Sequence, residues 1–247
     1  MAVTNSLQKT TQATNILEKT VTYDANGLSV TLSPKIIKSY LISGNKDAVS
    51  NDELVMFLNL CKFNQLNPWL KEAYCIKYGS EAATMVVAIS ALLKRAEEHP
   101  SYDGKEAGII VYNGAGEILY RKGSFKLPDE KIIGGYAEVW RKDRSHSCRS
   151  EVSFEEYAGR KKDGTLNNQW ATKPATMIRK VALAQALREA FPKSLGGMYT
   201  AEEQGQVEPE ETPTVIDMEQ PVTVPEAPVS EVIEATPTQD VAETLFG

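Results

Sequence analysis

Between Arg121 and Lys193 the chain places sixteen lysines and arginines against nine acidic residues, a local excess of +7. Such an excess can neutralise phosphates, a chemistry that needs cations in number but no sequence-specific partner. Several of these cations adjoin aromatic residues, as in Tyr120-Arg121-Lys122, Phe125-Lys126 and Trp140-Arg141-Lys142. Rings beside cations suit single-stranded nucleic acid, whose phosphates are gripped while its bases stack. Tyr136 and Trp140, evenly spaced along one strand, read instead as core residues. For Trp69 and Trp170, core packing and base stacking both stay open.

Bond-making chemistry is poorly represented. There is no G-x-x-x-x-G-K-[ST] loop and no G-x-G-x-x-G after a strand, so no standard nucleotide-binding motif is visible. The two histidines, His99 before a proline and His146 in a polar turn, read as surface or satisfied residues rather than a base or a ligand. A metal-dependent nuclease would need converging carboxylates. Glu138, Glu151, Glu155 and Glu156 are the available acids, and Glu155-Glu156 reads more simply as a charged helix start. Cys61, Cys75 and Cys148 are odd in number and form no CxxC pair, so reduced thiols are expected.

The element best suited to carry cations is a helix from Pro174 to Phe191. Pro174 fits its first turn, Thr172 or Lys173 its cap, and Pro192 with Gly196-Gly197 its end. Met177, Val181, Ala184, Leu187 and Phe191 recur at three- and four-residue spacing and predict one buried face. Lys173, Thr176 and Lys180 fall on another side, with Arg188 further along and Arg179 on the flank. Only Glu189 is acidic in this helix, so few intrahelical partners are available to these cations.

Upstream, Ser33-Pro34 opens a helix through Ile42, and Ser50-Asn51-Asp52-Glu53 matches a capping box for a second one towards Phe63. Asn67-Pro68 is a turn. Residues 72–78 and the AATMVVAIS run predict strands joined at Gly79, and 91–98 a helix. Residues 107–112, 117–121, 132–140 and 147–153 predict four more strands, and 154–160 a short helix. This order predicts an α+β fold, a compact antiparallel β-sheet packed with helices.

Charge divides the chain. Residues 1–201 hold all 27 basic residues and 21 acidic ones, a net of +6, while the remainder carries twelve acids and no Lys or Arg. The expected organisation is a mobile N-terminal arm (1–30), a basic domain suited to nucleic acid (31–203) and a disordered acidic tail (204–247). The N-terminus lacks an apolar signal core, and no run of about 18 apolar residues could cross a membrane. A cytoplasmic protein with no membrane partner is expected.

Four ordered blocks, NQLNPWLKEAYCIKYG, VAISALLKRAEEHPSYDG, AEVWRKDRSHSCRSEVSFEEY and WATKPATMIRKVALAQALREAFPKSLGGMYTAEE, resemble the RecT and Red-beta family of phage single-strand annealing proteins. The resemblance covers roughly residues 35 to 203. It implies ATP-independent binding of single-stranded DNA and its pairing with a complementary strand through an annealed duplex intermediate. It also implies a homo-oligomer, ring or helical filament, with DNA in a basic groove, and a phage- or prophage-encoded protein acting in the bacterial cytoplasm. No catalytic residue and no required cofactor are implied; Mg2+ is a candidate assembly ion that no motif indicates. Carried over by motif, the groove candidates are Lys71, Lys94, Arg95, Arg141, Lys142, Arg144, Lys173, Thr176, Arg179, Lys180 and Arg188. Arg121, Lys122 and Lys126 join them on charge alone. The acidic tail has two candidate roles: recruiting a phage exonuclease or a host single-strand binding protein, or solubility and self-inhibition of the groove. The alternatives to annealing are a metal-dependent nuclease and a passive DNA-binding structural oligomer.

Overall fold

A computed structural model describes residues 17–205. The sequence expectations for residues 1–16 and for the acidic tail from 206 onward lie outside the described residues.

Three sheets are present. Strands β1 (Val21–Ala25) and β2 (Leu28–Leu32) form an antiparallel hairpin that turns at Asn26 and Gly27, both at positive φ. Both central residues of a tight hairpin turn need that backbone region, and Asn-Gly supplies it at little cost. Tyr23, Ala25, Val30 and Leu32 bury one face of the hairpin, and the Tyr23 hydroxyl donates to the Leu66 carbonyl at 2.7 Å. The expected N-terminal arm is therefore corrected: residues 21–30 belong to the folded core, because alternation of apolar side chains gives the hairpin an inner face.

Helix α1 (Pro34–Ile36) is capped by the Ser33 hydroxyl and runs into a π-helical turn, Ile37–Leu41. The sequence predicts a helix to Ile42. Instead the chain becomes extended there and forms β3 (Ile42–Gly44), which pairs parallel with β4 (Ala73–Lys77); β4 pairs antiparallel with β5 (Thr84–Val87). Helix α2 (Asn51–Phe63) begins with the predicted capping box, Ser50 and Glu53 each bonding the other's backbone. Helix α3 (Ile89–Glu97) follows β5.

The main sheet has the order β7-β6-β8-β9 and is antiparallel throughout: β6 (Tyr102–Tyr112), β7 (Ile118–Lys122), β8 (Lys131–Arg141) and β9 (Cys148–Ser153). Short helices α4 (Phe154–Tyr157) and α5 (Asn168–Thr172) lead to α6 (Pro174–Ala190), then α7 (Pro192–Leu195). The α+β class with antiparallel sheets against helices is as expected.

Helix α6 lies on β8 along its length. Ile178 meets Gly135 and Ala190 meets Arg141. The intervening twelve helical residues rise about 18 Å and the six strand residues about 20 Å, so helix and strand run alongside each other. A Cβ at Gly135 would sit 2.6 Å from the Ile178 carbonyl oxygen, so the hydrogen side chain is what lets the helix approach. The one-face expectation for α6 is also corrected. Ile178, Ala182, Leu183, Ala186 and Ala190 are buried in addition to Met177, Val181, Ala184 and Leu187. Small alanines let neighbours close around the helix on more than one side. No helix among the described residues is long and apolar enough to cross a membrane.

Two measurements check this packing. Gly135→Ala should lower the unfolding free energy by about 1–3 kcal/mol, the usual cost of overpacking, read from urea denaturation. Glu53 accepts from Lys77 Nζ at 2.8 Å, from the Ala83 N–H at 2.6 Å and from the Ser50 N–H at 2.8 Å. Chiefly through Lys77, these bonds pull its carboxyl from the ordinary 4.5 to about 2. A lowered folded-state pKa stabilises above the unfolded value, and that stability is lost as pH falls towards the folded one. Between about pH 5 and about pH 2, Glu53→Gln should therefore lose less stability than the parent chain.

Candidate nucleic-acid interface

Most of the predicted cations have partners within the fold. Lys94 Nζ lies 3.1 Å from Glu72 Oε1, and Arg95 donates at 2.6 Å to the Asn64 carbonyl at the C-terminus of α2, where a cation is electrostatically favoured. Arg121 pairs with the buried carboxylate of Glu130, which also accepts the Leu127 N–H at 2.8 Å; these bonds hold the Glu130 carboxyl below its ordinary range, Arg121 first. Lys126 Nζ donates to the Leu127 and Glu130 carbonyls, each at 3.1 Å. The cations of the β7–β8 loop thus close that loop.

Lys122 meets Glu106 at 2.8 Å on the sheet face opposite α6. On that face Arg149 stacks 5.2 Å over Tyr120 and 5.4 Å over Tyr136, with Glu151 at 2.8 Å and Glu138 at 3.5 Å. Its charges are balanced in place. Tyr136 is buried there as expected for a packed residue, whereas Trp140 is 36% exposed. Glu138 and Glu151 share Arg149, and Glu155 is held by Arg160 at 2.7 Å, so each of these acids is taken up by an arginine. Among the described residues no group of three or more His, Cys, Asp or Glu is placed to hold a metal ion.

The cations of α6 differ most from expectation. Partners within the helix are few, as expected, but partners from beyond it take up two of its cations: Lys180 Nζ lies 2.9 Å from Glu202, and Arg188 forks onto both oxygens of Glu203, the Nη1–Oε2 arm at 2.6 Å. Glu203 also accepts the Thr200 N–H and hydroxyl at 3.0 and 3.1 Å, and Arg188 covers the Tyr199 ring at 4.5 Å. Glu202 is fully buried. Both carboxylates come from the 3-10 turn Glu202–Gln204, at the start of the acidic stretch, and fold back onto the helix. Arg179 Nε donates to Ser124 at 3.1 Å. Lys173 is exposed at the helix start and Thr176 is half-buried; neither side chain has a hydrogen-bond or ion-pair partner among the described residues. Lys71 is exposed, in the left-handed region at φ 59°.

The other end of α6 is open. A cleft of about 360 Å3 lies there, lined by His99, Arg141, Arg144, Phe191, Pro192, Lys193 and Ser194. Arg141 is its fixed wall, donating to the Ala190 carbonyl and to both oxygens of Asp143 (2.8 and 2.6 Å) and lying 4.9 Å over Phe191. These bonds from Arg141 pull the Asp143 carboxyl down to about 2, so it stays ionised. His99 accepts the Ser101 N–H at 3.1 Å through Nδ1 and packs 4.8 Å from Phe191, a satisfied histidine as the sequence predicts. Arg144 and Lys193 are exposed; Arg144 touches only the Cys148 sulfur, at 3.5 Å, and its own turn's backbone. The side chains of Lys142 and Lys193 have no partner among the described residues. Arg141 and Arg144 are thus joined by Lys193, which is not among the sequence-predicted groove candidates, while Lys142, between them in the turn, does not line the cleft. Membership of Lys193 in the last matched block was the available signal. A separation of about fifty residues hid its neighbours.

Trp170 and Trp69 now divide. Trp170 is fully buried, 5.6 Å from Phe154, against Gly159, where a Cβ would strike the indole. Trp69 is 48% exposed.

Residues 31–215 match the model described as the RecT family. The uncharacterized protein UU154 of Ureaplasma parvum serovar 3 is 29% identical over 182 residues, covering 70% of this chain and 73% of that protein.

The two classes of cation should separate in stability measurements. Arg188→Met strands the buried Glu203 carboxylate and should cost about 3–5 kcal/mol in urea unfolding. Lys142→Ala and Lys193→Ala should each stay within about 0.5 kcal/mol of the parent chain.

Proposed function

The chain belongs to the RecT family of single-strand annealing proteins of recombination, and we propose that it binds single-stranded DNA through the cleft cations Arg144 and Lys193 and the adjoining Lys142, and pairs it with a complementary strand without ATP. The observation that carries the reading is the separation of charges. Lys180 and Arg188 on α6 and Arg121 on β7 are paired with carboxylates of the fold, whereas Arg144 and Lys193 are exposed around an open cleft.

Annealing in this reading makes and breaks no covalent bond. Two strands repel through their phosphates; cations that neutralise one backbone lower that repulsion and leave base edges accessible to a partner. Lys173 at the opposite end of α6 extends the surface along about 25 Å, some seven phosphates at the per-strand spacing of about 3.4 Å. We further propose that copies of the chain assemble into a ring or helical filament, which would continue this surface along the DNA. The exposed Met56 and Phe63 on α2 support an apolar contact between copies.

Pairing of two complementary oligonucleotides should be accelerated by the protein without ATP and slowed as salt rises. In Lys142→Ala/Arg144→Ala/Lys193→Ala, the slope of log affinity for a single strand against log salt should fall by about 2, since each phosphate contact contributes about 0.7. An unchanged slope in a folded triple variant would remove the cleft from the interface, and no acceleration by the parent chain would remove the annealing reading.

A further inference from the structure

The motif Asn67-Pro68-Trp69-Leu70-Lys71 builds a rigid knuckle with Trp69 and Leu70 outward. The Asn67 side chain accepts the Trp69 N–H at 3.0 Å, and its carbonyl accepts from Leu70 and Glu72 at 3.1 and 3.2 Å. The Asn67 N–H in turn donates to Glu72 at 2.8 Å, and Glu72 is pinned by Lys94. Pro68 fixes the turn and Lys71 closes it in a left-handed conformation that costs a non-glycine residue energy. Leu66, Asn67 and Pro68 are buried, while Trp69 and Leu70 are 48% and 56% exposed. Tyr40, 72% exposed on the π-helical turn, stands beside the indole at 6.3 Å with a 46° tilt.

We propose that Trp69, flanked by Tyr40, is a stacking platform for the bases of single-stranded DNA, an inference that rests on the DNA-binding function proposed above. A surface tryptophan held by this many bonds loses little entropy when a base lies on it. Its surroundings carry the matching charge. Residues 34–45 and 54–71 contain Lys35, Lys38, Lys62 and Lys71 and no Asp or Glu. Of the intervening acids, Asp52 and Glu53 lie in the first turn of α2, whose thirteen residues put about 20 Å between them and the end that leads to the knuckle, and Asp47 lies on the 3-10 turn Lys46–Ala48. Protein interfaces are depleted in lysine, whereas single-strand surfaces combine lysines with exposed rings.

The test uses the full chain with Trp140→Phe, leaving Trp69 as the exposed fluorophore and the buried Trp170 as an internal reference. Titration with an oligo(dT), which cannot self-pair, should quench the Trp69 emission. Trp69→Ala should weaken oligo(dT) binding about tenfold at fixed salt, the loss of one stacked base, with an unchanged salt slope. Trp69→Phe should recover most of it, and an abasic oligomer should bind the parent chain as weakly as oligo(dT) binds Trp69→Ala. Binding without quenching, or equal affinity in Trp69→Ala, overturns the platform. So does a change of oligomeric state in Trp69→Ala with DNA affinity intact, which would make the knuckle a contact between copies. Absence of oligo(dT) binding by the parent chain would overturn the proposed function itself.

Discussion

Helix α6 has to be buried on more than one side while carrying Lys180 and Arg188, and the two carboxylates of Glu202 and Glu203 resolve that conflict. An unpaired charge in such a place costs several kcal/mol, and attraction offsets this only when geometry is good and remaining lone pairs are satisfied. The Arg188–Glu203 fork, with Thr200 as a further donor, meets those conditions. The same segment reaches a second sheet, because the Tyr199 carbonyl accepts the Val87 N–H at 2.9 Å and Ala201 packs on Ile76 and Val86. One short stretch therefore ties α6 to the β3–β5 sheet, while Gly135 admits α6 to the main sheet from the other side.

A consequence for binding follows from where positive charge remains. Cations that hold the fold together cannot also grip a phosphate without leaving a carboxylate stranded. A surface that takes up and hands over polyanions is better made of cations with no structural duty. Lys142, Arg144, Lys173 and Lys193 meet that description at the two ends of α6, where turns and short helices rather than packed faces present the side chains. The cleft has both a rigid part and an adaptable one. Arg141 is fixed by Asp143, the Ala190 carbonyl and Phe191, and the exposed cations around it are free to follow a flexible strand.

Much of this was legible in the chain itself. The Ser50–Glu53 capping box, the strands of the main sheet and the α6 boundaries followed from local rules, because caps, alternation and proline act over a few residues. The β1–β2 hairpin carried an equally local signal, Asn26-Gly27 between alternating apolar residues, and was nonetheless assigned to the arm. Lys142 and Arg144 were candidates through the family resemblance of the block that contains them.

What tertiary structure alone decided is which charges are spent. Lys180 and Lys142 are alike in sequence terms, each a lysine in a basic stretch, yet one is held by Glu202 and the other has no partner among the described residues. The same holds for the tryptophans: Trp170 is enclosed beside Gly159, and Trp69 is held outward by a knuckle whose anchor, Glu72, is fixed from α3. Helix and strand patterns depend on neighbours within a few residues, so sequence by itself determined the elements and the excess of positive charge. Ion pairing and exposure depend on side chains brought together from distant segments, as Lys193 is with Arg144, and only the folded chain assigns each cation to structure or to solvent.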